Sequence, residues 1–416
     1  MTDSYENDPA KGGSTFSKKT GSNSNSNNNA DRVILITYPD EFVRNEAAGL
    51  VEAAGYQIAD IVTTKKFTNP QYGIGSGKAE EVSRLAEEKH SDMIIVDDRL
   101  SSSQAHNLAK VTHQQVIDRE RLILDIFDRR ATTTEAKLQV KLAELKYEIP
   151  RAREAVRVSL RGEQAGFMGI GEYAVDVKFR ALKRQMVVVQ KKLDNARKQR
   201  ELFRVSRDRL KLPIISLAGY TSSGKTTLFN RFTSEKKEES PDLFTTLTTT
   251  TRSFEPLPGR RVLLSDTVGF ISRLPPYMVE AFKSTLEELT FADLIMLMVD
   301  ASEPFEDMRT KYLSCRRILE QLSINPARII VILNKLDLTA RGEGTLKASS
   351  ILGDLPSIAI SAKTGEGIKK LKVKIVERVF NEPHPILKAQ AKTGDRQGEL
   401  VEPLETPPNS DILDTA

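Results

Sequence analysis

The chain is poor in the residues that staple, ligate or anchor a protein. One cysteine, Cys315, stands in 416 residues, which excludes an internal disulfide framework and fits a reducing compartment. The four histidines, His90, His106, His113 and His384, are too scattered to form a metal cluster. No apolar run approaches the ~18 residues that a spanning helix needs, and the N-terminus has no apolar signal region. The expectation is a cytoplasmic protein with no membrane span.

What is present suits soluble globular domains: hydrophobic residues are 39% and charged residues 29%. The length suggests roughly two to three domains at a prior of ~150 residues each. The net charge of +5 is modest, but its distribution is not. Residues 132–211 hold 20 Lys/Arg against 10 Asp/Glu, a net of about +10, which leaves about −5 for the rest. Such a block points to an anionic partner such as nucleic acid, although Lys and Arg are also good formers of a solvated helix face.

The chain reads as five stretches. Residues 1–31, ending "GSNSNSNNNADR", are too poor in apolar groups to offset their ordering entropy and read as a disordered tail. Residues 32–131 alternate short apolar strands ("RVILITY", "QIADIVTTK", "SDMIIVDD", "QQVID") with helical patterns, which predicts a small parallel sheet. Over 132–211 the strand signal vanishes. Two long helices flank a glycine-containing connection, "GEQAGFMGIGEY", and imply an antiparallel hairpin. Phe167 and Met168 at its tip favour insertion into a partner over mere connection. Over 212–382 alternation resumes with five apolar strands, and residues 383–416 read as a second disordered tail. The fold class is therefore α/β: an N-terminal α/β subdomain with an antiparallel helical hairpin, followed by a doubly wound P-loop domain.

The chemistry lies in that last domain. Gly219-Tyr220-Thr221-Ser222-Ser223-Gly224-Lys225-Thr226, followed by Thr227, fits G-x-x-x-x-G-K-[ST] between a strand and a helix. Its glycines let backbone N–H groups wrap a phosphate at a helix N-terminus. Lys225 would reach the β- and γ-phosphates, and Thr226 would ligate Mg²⁺. The polar stretch "FTTLTTTTR" (Phe244, Thr245, Thr246, Leu247, Thr248 and onward) suits a switch that closes over the γ-phosphate, with Thr246 as second Mg²⁺ ligand. Asp266-Thr267-Val268-Gly269 supplies an acid near the metal and a backbone N–H for the γ-phosphate. Lys225, Thr246 and Gly269 are the catalytic candidates. Asn334-Lys335-Leu336-Asp337 ends a strand, and Asp337 can accept two hydrogen bonds from guanine that adenine cannot offer. Ser361-Ala362-Lys363 would close the other side of the base. By contrast "YGIGSGKAEEV" (72–82) fails the P-loop pattern at Tyr72 and Ala79, and reads as a turn with a helix start.

These motifs resemble the HflX family of ribosome-associated GTPases, in the larger Obg-like group. The likeness spans residues 32–380 through "IGSGKAEEV", "DRERLILDIFDRRATTTEAKLQVKLAEL", "GYTSSGKTTLFN", "LFTTLTTTTR", "DTVGFISRLP", "TLEE" and "NKLD". It implies a G domain behind an α/β subdomain and hairpin, Mg²⁺ held by Thr226 and Thr246, and binding to the large ribosomal subunit. It also implies stimulated GTP hydrolysis there, and a part in splitting or rescuing stalled ribosomes. Two departures stand out. "TTLTTTTR" replaces the usual "ATLDPTTR", and "MGIGEY" replaces "GPGE", a form associated with archaeal members.

A glutamine often follows the glycine of the Asp-x-x-Gly loop and orients the attacking water. Here that position is Phe270, which cannot. A slow intrinsic rate that rises on the ribosome is expected, unless Arg252 or Arg273 helps in cis. Arg180, Lys183, Arg184, Lys191, Lys192, Arg197 and Lys198 are the candidates for contacting rRNA phosphates, and without interleaved aromatics no base readout is expected. No coiled-coil seam demands a dimer, so a monomer is expected. The alternative function is a GTP-dependent switch acting on a protein partner.

Overall fold

Apolar runs of six or seven residues, too short for helices and buried on both faces, lay down two sheets. The computed structural model describes residues 30–162, 170–208, 212–234, 243–244, 249–340, 343–353 and 355–380. Almost all of both expected tails lies outside them, as do Phe167, Met168, Thr245, Thr246, Leu247 and Thr248.

The first sheet comprises β1 (Arg32–Thr37), β2 (Gln57–Thr63), β3 (Met93–Val96) and β4 (Gln115–Asp118), all parallel in the order β2-β1-β3-β4. Helices α1 (Glu41–Ala53), α2 (Ser76–Glu88) and α3 (Ser102–Thr112) make the crossovers. Successive strand residues feed opposite layers. Ile34, Ile36, Ile94 and Val96 pack with Ile74, Val82 and Leu108 on one side. Val33, Leu35, Met93 and Ile95 pack with Leu50, Leu122 and Ile126 on the other. The glycines of 72–82 form a turn and then the start of α2.

Helix α4 (Arg119–Arg130) had no clear signal of its own in the sequence, because its apolar run Leu122-Ile123-Leu124 reads equally as strand. Asp118 starts it by accepting a hydrogen bond from the Arg121 backbone N–H at 2.9 Å. The long helices α5 (Thr134–Gly162) and α6 (Ile170–Asp208) then pack along each other.

The second sheet holds β5 (Ile214–Gly219), β6 (Thr250–Leu257), β7 (Arg260–Asp266), β8 (Leu294–Asp300), β9 (Ile329–Asn334) and β10 (Ser357–Ala359), in the order β10-β9-β8-β5-β7-β6. Only β6 runs antiparallel. It doubles back on β7 through Pro258-Gly259, the proline-glycine pair of a type II turn, with Gly259 at φ +75°. Around this sheet lie α7 (Lys225–Thr233), α8 (Pro276–Ala281), α9 (Lys283–Thr290), α10 (Phe305–Gln321), α11 (Glu343–Leu352) and α12 (Ile368–Phe380). One apolar layer runs without a break from Val33 and Leu35 through Phe127, Phe244 and Phe282 to Ile295 and Leu297. The N-terminal sheet and the second sheet therefore share a core.

Candidate nucleotide site

β5 delivers the chain to Gly219, and α7 begins at Lys225, so residues 220–224 must turn within one loop. Gly224 makes the turn at φ +91°, and an added Cβ would sit 2.1 Å from Asn334 Nδ2, so no other residue fits. Lys225 Nζ donates to the Gly219 carbonyl at 3.1 Å and the Tyr220 carbonyl at 2.7 Å. The ammonium thus curls the loop around itself. Burial pulls its pKa down to about 8, against the opposing pull of the Asp266 carboxylate. Thr226 and Thr227 occupy the first turn of α7 beside it.

The residues that the sequence assigns to the base converge from two strand ends. Asn334 ties three segments together. Its Nδ2 donates to the Ser223 carbonyl at 2.9 Å, and its Oδ1 accepts from the Ala362 N–H at 2.9 Å. Ser361 Oγ donates to Asp337 Oδ1 at 2.6 Å, and the Leu336 N–H donates to the Ile360 carbonyl at 3.2 Å. Lys335 pairs with Asp300 at 2.6 Å, and Arg231 donates to the Lys363 carbonyl. Asp300 was not a sequence candidate; its only signal is a carboxylate closing the apolar run of β8.

The segment after β7 lies against the loop. The Phe270 N–H donates to the Gly219 carbonyl at 3.0 Å, and the Thr221 N–H donates to the Phe270 carbonyl at 2.8 Å. Asp266 and Thr267 are fully buried, and Thr267 Oγ1 donates to the Leu217 carbonyl at 2.5 Å. The Phe270 ring is 2% exposed, inside the shared core. Arg273 donates to Asp97 Oδ2 at 2.8 Å and the Asp97 carbonyl at 2.9 Å, so its guanidinium is turned to the N-terminal sheet. Arg252 donates to the Thr251 carbonyl at 3.1 Å.

Phe244, assigned to the nucleotide by the sequence, packs its ring at 4.8 Å from Phe127, which in turn meets Phe282 at 4.6 Å. A large apolar ring gains more from that cluster than from a phosphate. Cys315 is buried beneath the loop, and burial raises its thiol to about 12, leaving it protonated and inert.

Comparison with known proteins now bears on this geometry. Residues 43–128 match the family described as GTP-binding GTPase N-terminal, 130–207 the GTP-binding GTPase Middle Region, and 214–335 the 50S ribosome-binding GTPase. The GTPase HflX of Thermococcus kodakarensis is 42% identical over 77% of this chain and 72% of its own length. That of Methanocaldococcus jannaschii is 41% identical over 80% and 82%. That of Escherichia coli is 34% identical over 81% and 79%. The chain belongs to the HflX family of GTPases. It binds GTP and hydrolyses it. A crystal structure of SsGBP with GDP is 27% identical and superposes with a TM-score of 0.50, over 84% of this chain and 99% of that one.

On the hairpin of this HflX family member, the seven basic candidates are all exposed along α6. Arg180 pairs with Asp176, and Arg197 pairs with Glu287 of α9 at 3.1 Å. The Lys183 ammonium lies 4.8 Å from the centre of the Phe179 ring. Among the described residues no helix is long and apolar enough to cross a membrane.

Proposed function

We propose that this GTPase acts on the large ribosomal subunit, where rRNA docking stimulates hydrolysis and stalled ribosomes are split or rescued. The observation that carries the reading is Phe270. Its ring is buried and its backbone is bonded to the P-loop. Neither can orient a water, and Arg273 is committed to Asp97. The missing polar group is therefore assigned to a partner in preference to the exposed Arg252, which donates to the carbonyl of its neighbour Thr251. The basic face of α6 suits one rich in phosphates, and the match to a family described as a 50S ribosome-binding GTPase agrees.

Within the site, residues 219–227 hold the phosphates, Gly269 presents its N–H to the γ-phosphate, and Asn334, Lys335, Asp337 and Ser361–Lys363 hold guanine. The donor set fits Mg²⁺. The Thr226 hydroxyl at the start of α7 and the buried Asp266 carboxylate at the end of β7 are hard oxygen donors. Thr246 is the second candidate ligand. Held by these residues, Mg²⁺ would supply charge neutralisation at the phosphates. Lys225 adds a positive charge when protonated, and the protein works as a cytoplasmic monomer.

GTP turnover measured with and without large subunits, across a salt series, tests the reading. Stimulation that fades steeply with salt is expected; equal rates defeat it. Capture of a partner that survives RNase would instead favour a protein-directed switch.

A further inference from the structure

The N-terminal domain reaches into the GTP site through one buried polar cluster that the chemistry above does not use. Arg119, at the start of α4, is 3% exposed and donates to Glu46 Oε1 and Asp97 Oδ1, each at 2.5 Å. Burial works against its charge, but the carboxylates of Asp97 and Glu46 more than offset this and keep it ionised. The same guanidinium donates to the Ser272 carbonyl at 3.0 Å. Glu46 accepts from the Ser272 hydroxyl at 2.5 Å and from its backbone N–H at 3.2 Å. That N–H also reaches the Tyr220 hydroxyl at 2.6 Å, and Tyr220 belongs to the P-loop. Every polar group of Ser272 is therefore held, mostly by Arg119 and Glu46, 153 and 226 positions away in sequence.

What this hold does follows from Gly269. An added Cβ there would lie 2.9 Å from Thr221 Cγ2 and 3.2 Å from Lys225 Nζ. The Gly269 backbone thus rests against the ammonium. A γ-phosphate on that ammonium requires ~2.8 Å from Nζ to its own oxygens and ~2.9 Å more to the Gly269 amide. The backbone already closes on the seat that the phosphate would take, since even one added carbon would crowd Thr221 and Lys225. Admitting the phosphate calls for Gly269 to lift, yet three of the next four residues are fastened by the Phe270 bridge, the Ser272 bonds and the Arg273–Asp97 pair.

We propose that Glu46 and Arg119 are specificity-determining residues that set the preference between GDP and GTP, because their grip on Ser272 competes with the γ-phosphate. A diphosphate leaves the grip intact, whereas a triphosphate must break it. The inference rests on GTP binding and not on the ribosome.

The test uses the full chain, GDP, and a non-hydrolysable GTP analogue with Mg²⁺. In Glu46→Gln the ratio of triphosphate to diphosphate affinity should rise about tenfold, chiefly through the triphosphate, within the usual range of couplings between sites. In Ser272→Ala, which removes a hydroxyl and strands no charge, it should rise about threefold. Should Glu46→Gln fail to fold, Ser272→Ala decides. An unchanged ratio, or equal shifts for both nucleotides, overturns the proposal. Coupling is reciprocal, so the triphosphate should speed hydrogen exchange of the Ser272 amide relative to GDP. Equal exchange overturns it as well.

Discussion

The two halves of the nucleotide site are supported in opposite ways. The corner proposed to read the base is closed upon itself: Asn334, Asp337, Ser361 and Ala362 bond one another and the P-loop, and all lie at the ends of the second sheet's own strands or in the loops beyond them. The segment proposed to sense the last phosphate is held from outside. Ser272 and Arg273 are fixed by Glu46, Asp97 and Arg119, Tyr277 of α8 donates to Glu120 of α4 at 3.0 Å, and Lys146 pairs with Glu280 at 2.6 Å. On the proposed assignment, guanine recognition is local to one domain and the response to the last phosphate is shared between two.

The comparison breaks most readily at its local half. Asp337→Asn exchanges an acceptor for a donor, so guanine's N1–H and N2–H₂ lose their partner. Preference for guanine over xanthine nucleotides should fall by about 10⁴, the scale on which a site built for hydrogen bonds rejects a mismatch. Competition binding measures it, and an unchanged preference removes Asp337 from the base site. At the shared half, Phe127→Ala should cost about 3–5 kcal/mol of stability. Its ring is 2% exposed and meets both Phe244 and Phe282. Denaturant unfolding reads the loss, and base preference should stay as it was. A coupled change in base preference would mean that the two halves are not separate.

Most of the local half could be read from the sequence, because each of its motifs does its work within a few residues. Gly219–Thr226 must wrap a phosphate, and Asn334–Asp337 follows directly on an apolar strand, so spacing carried the information. The parallel order of the first sheet followed from strand-helix alternation in the same way. The shared half could not be read, because its logic is tertiary. Nothing near Glu46 marks it as the acceptor for Ser272, 226 positions on. Arg119 looks like any helix-starting arginine until α4 is folded against α1. Phe244 shows the same limit: its place in the switch was legible, but the direction of its ring depends on Phe127 from another domain. β6 escaped notice because Thr249–Arg252 are polar, as an edge strand with one solvated face permits.

The smallest expected effect concerns Lys225, the ammonium at the centre of the P-loop. Burial sets its pKa at about 8 in the free site, well below that of an ordinary lysine. Nucleotide phosphates favour the charged ammonium, so the bound state holds its proton to higher pH. Affinity is therefore full at low pH and declines as pH rises through 8, by about fourfold from pH 7 to 8.5. Titration of GDP binding across that interval measures the slope. Lys225→Arg should bind more weakly, since a guanidinium fits the loop poorly, but with a flat profile because it never deprotonates in this range. A slope that survives in Lys225→Arg would place the titrating group elsewhere. A flat wild-type profile would mean that the ammonium is better solvated than its burial implies, and that the P-loop opens further before nucleotide arrives.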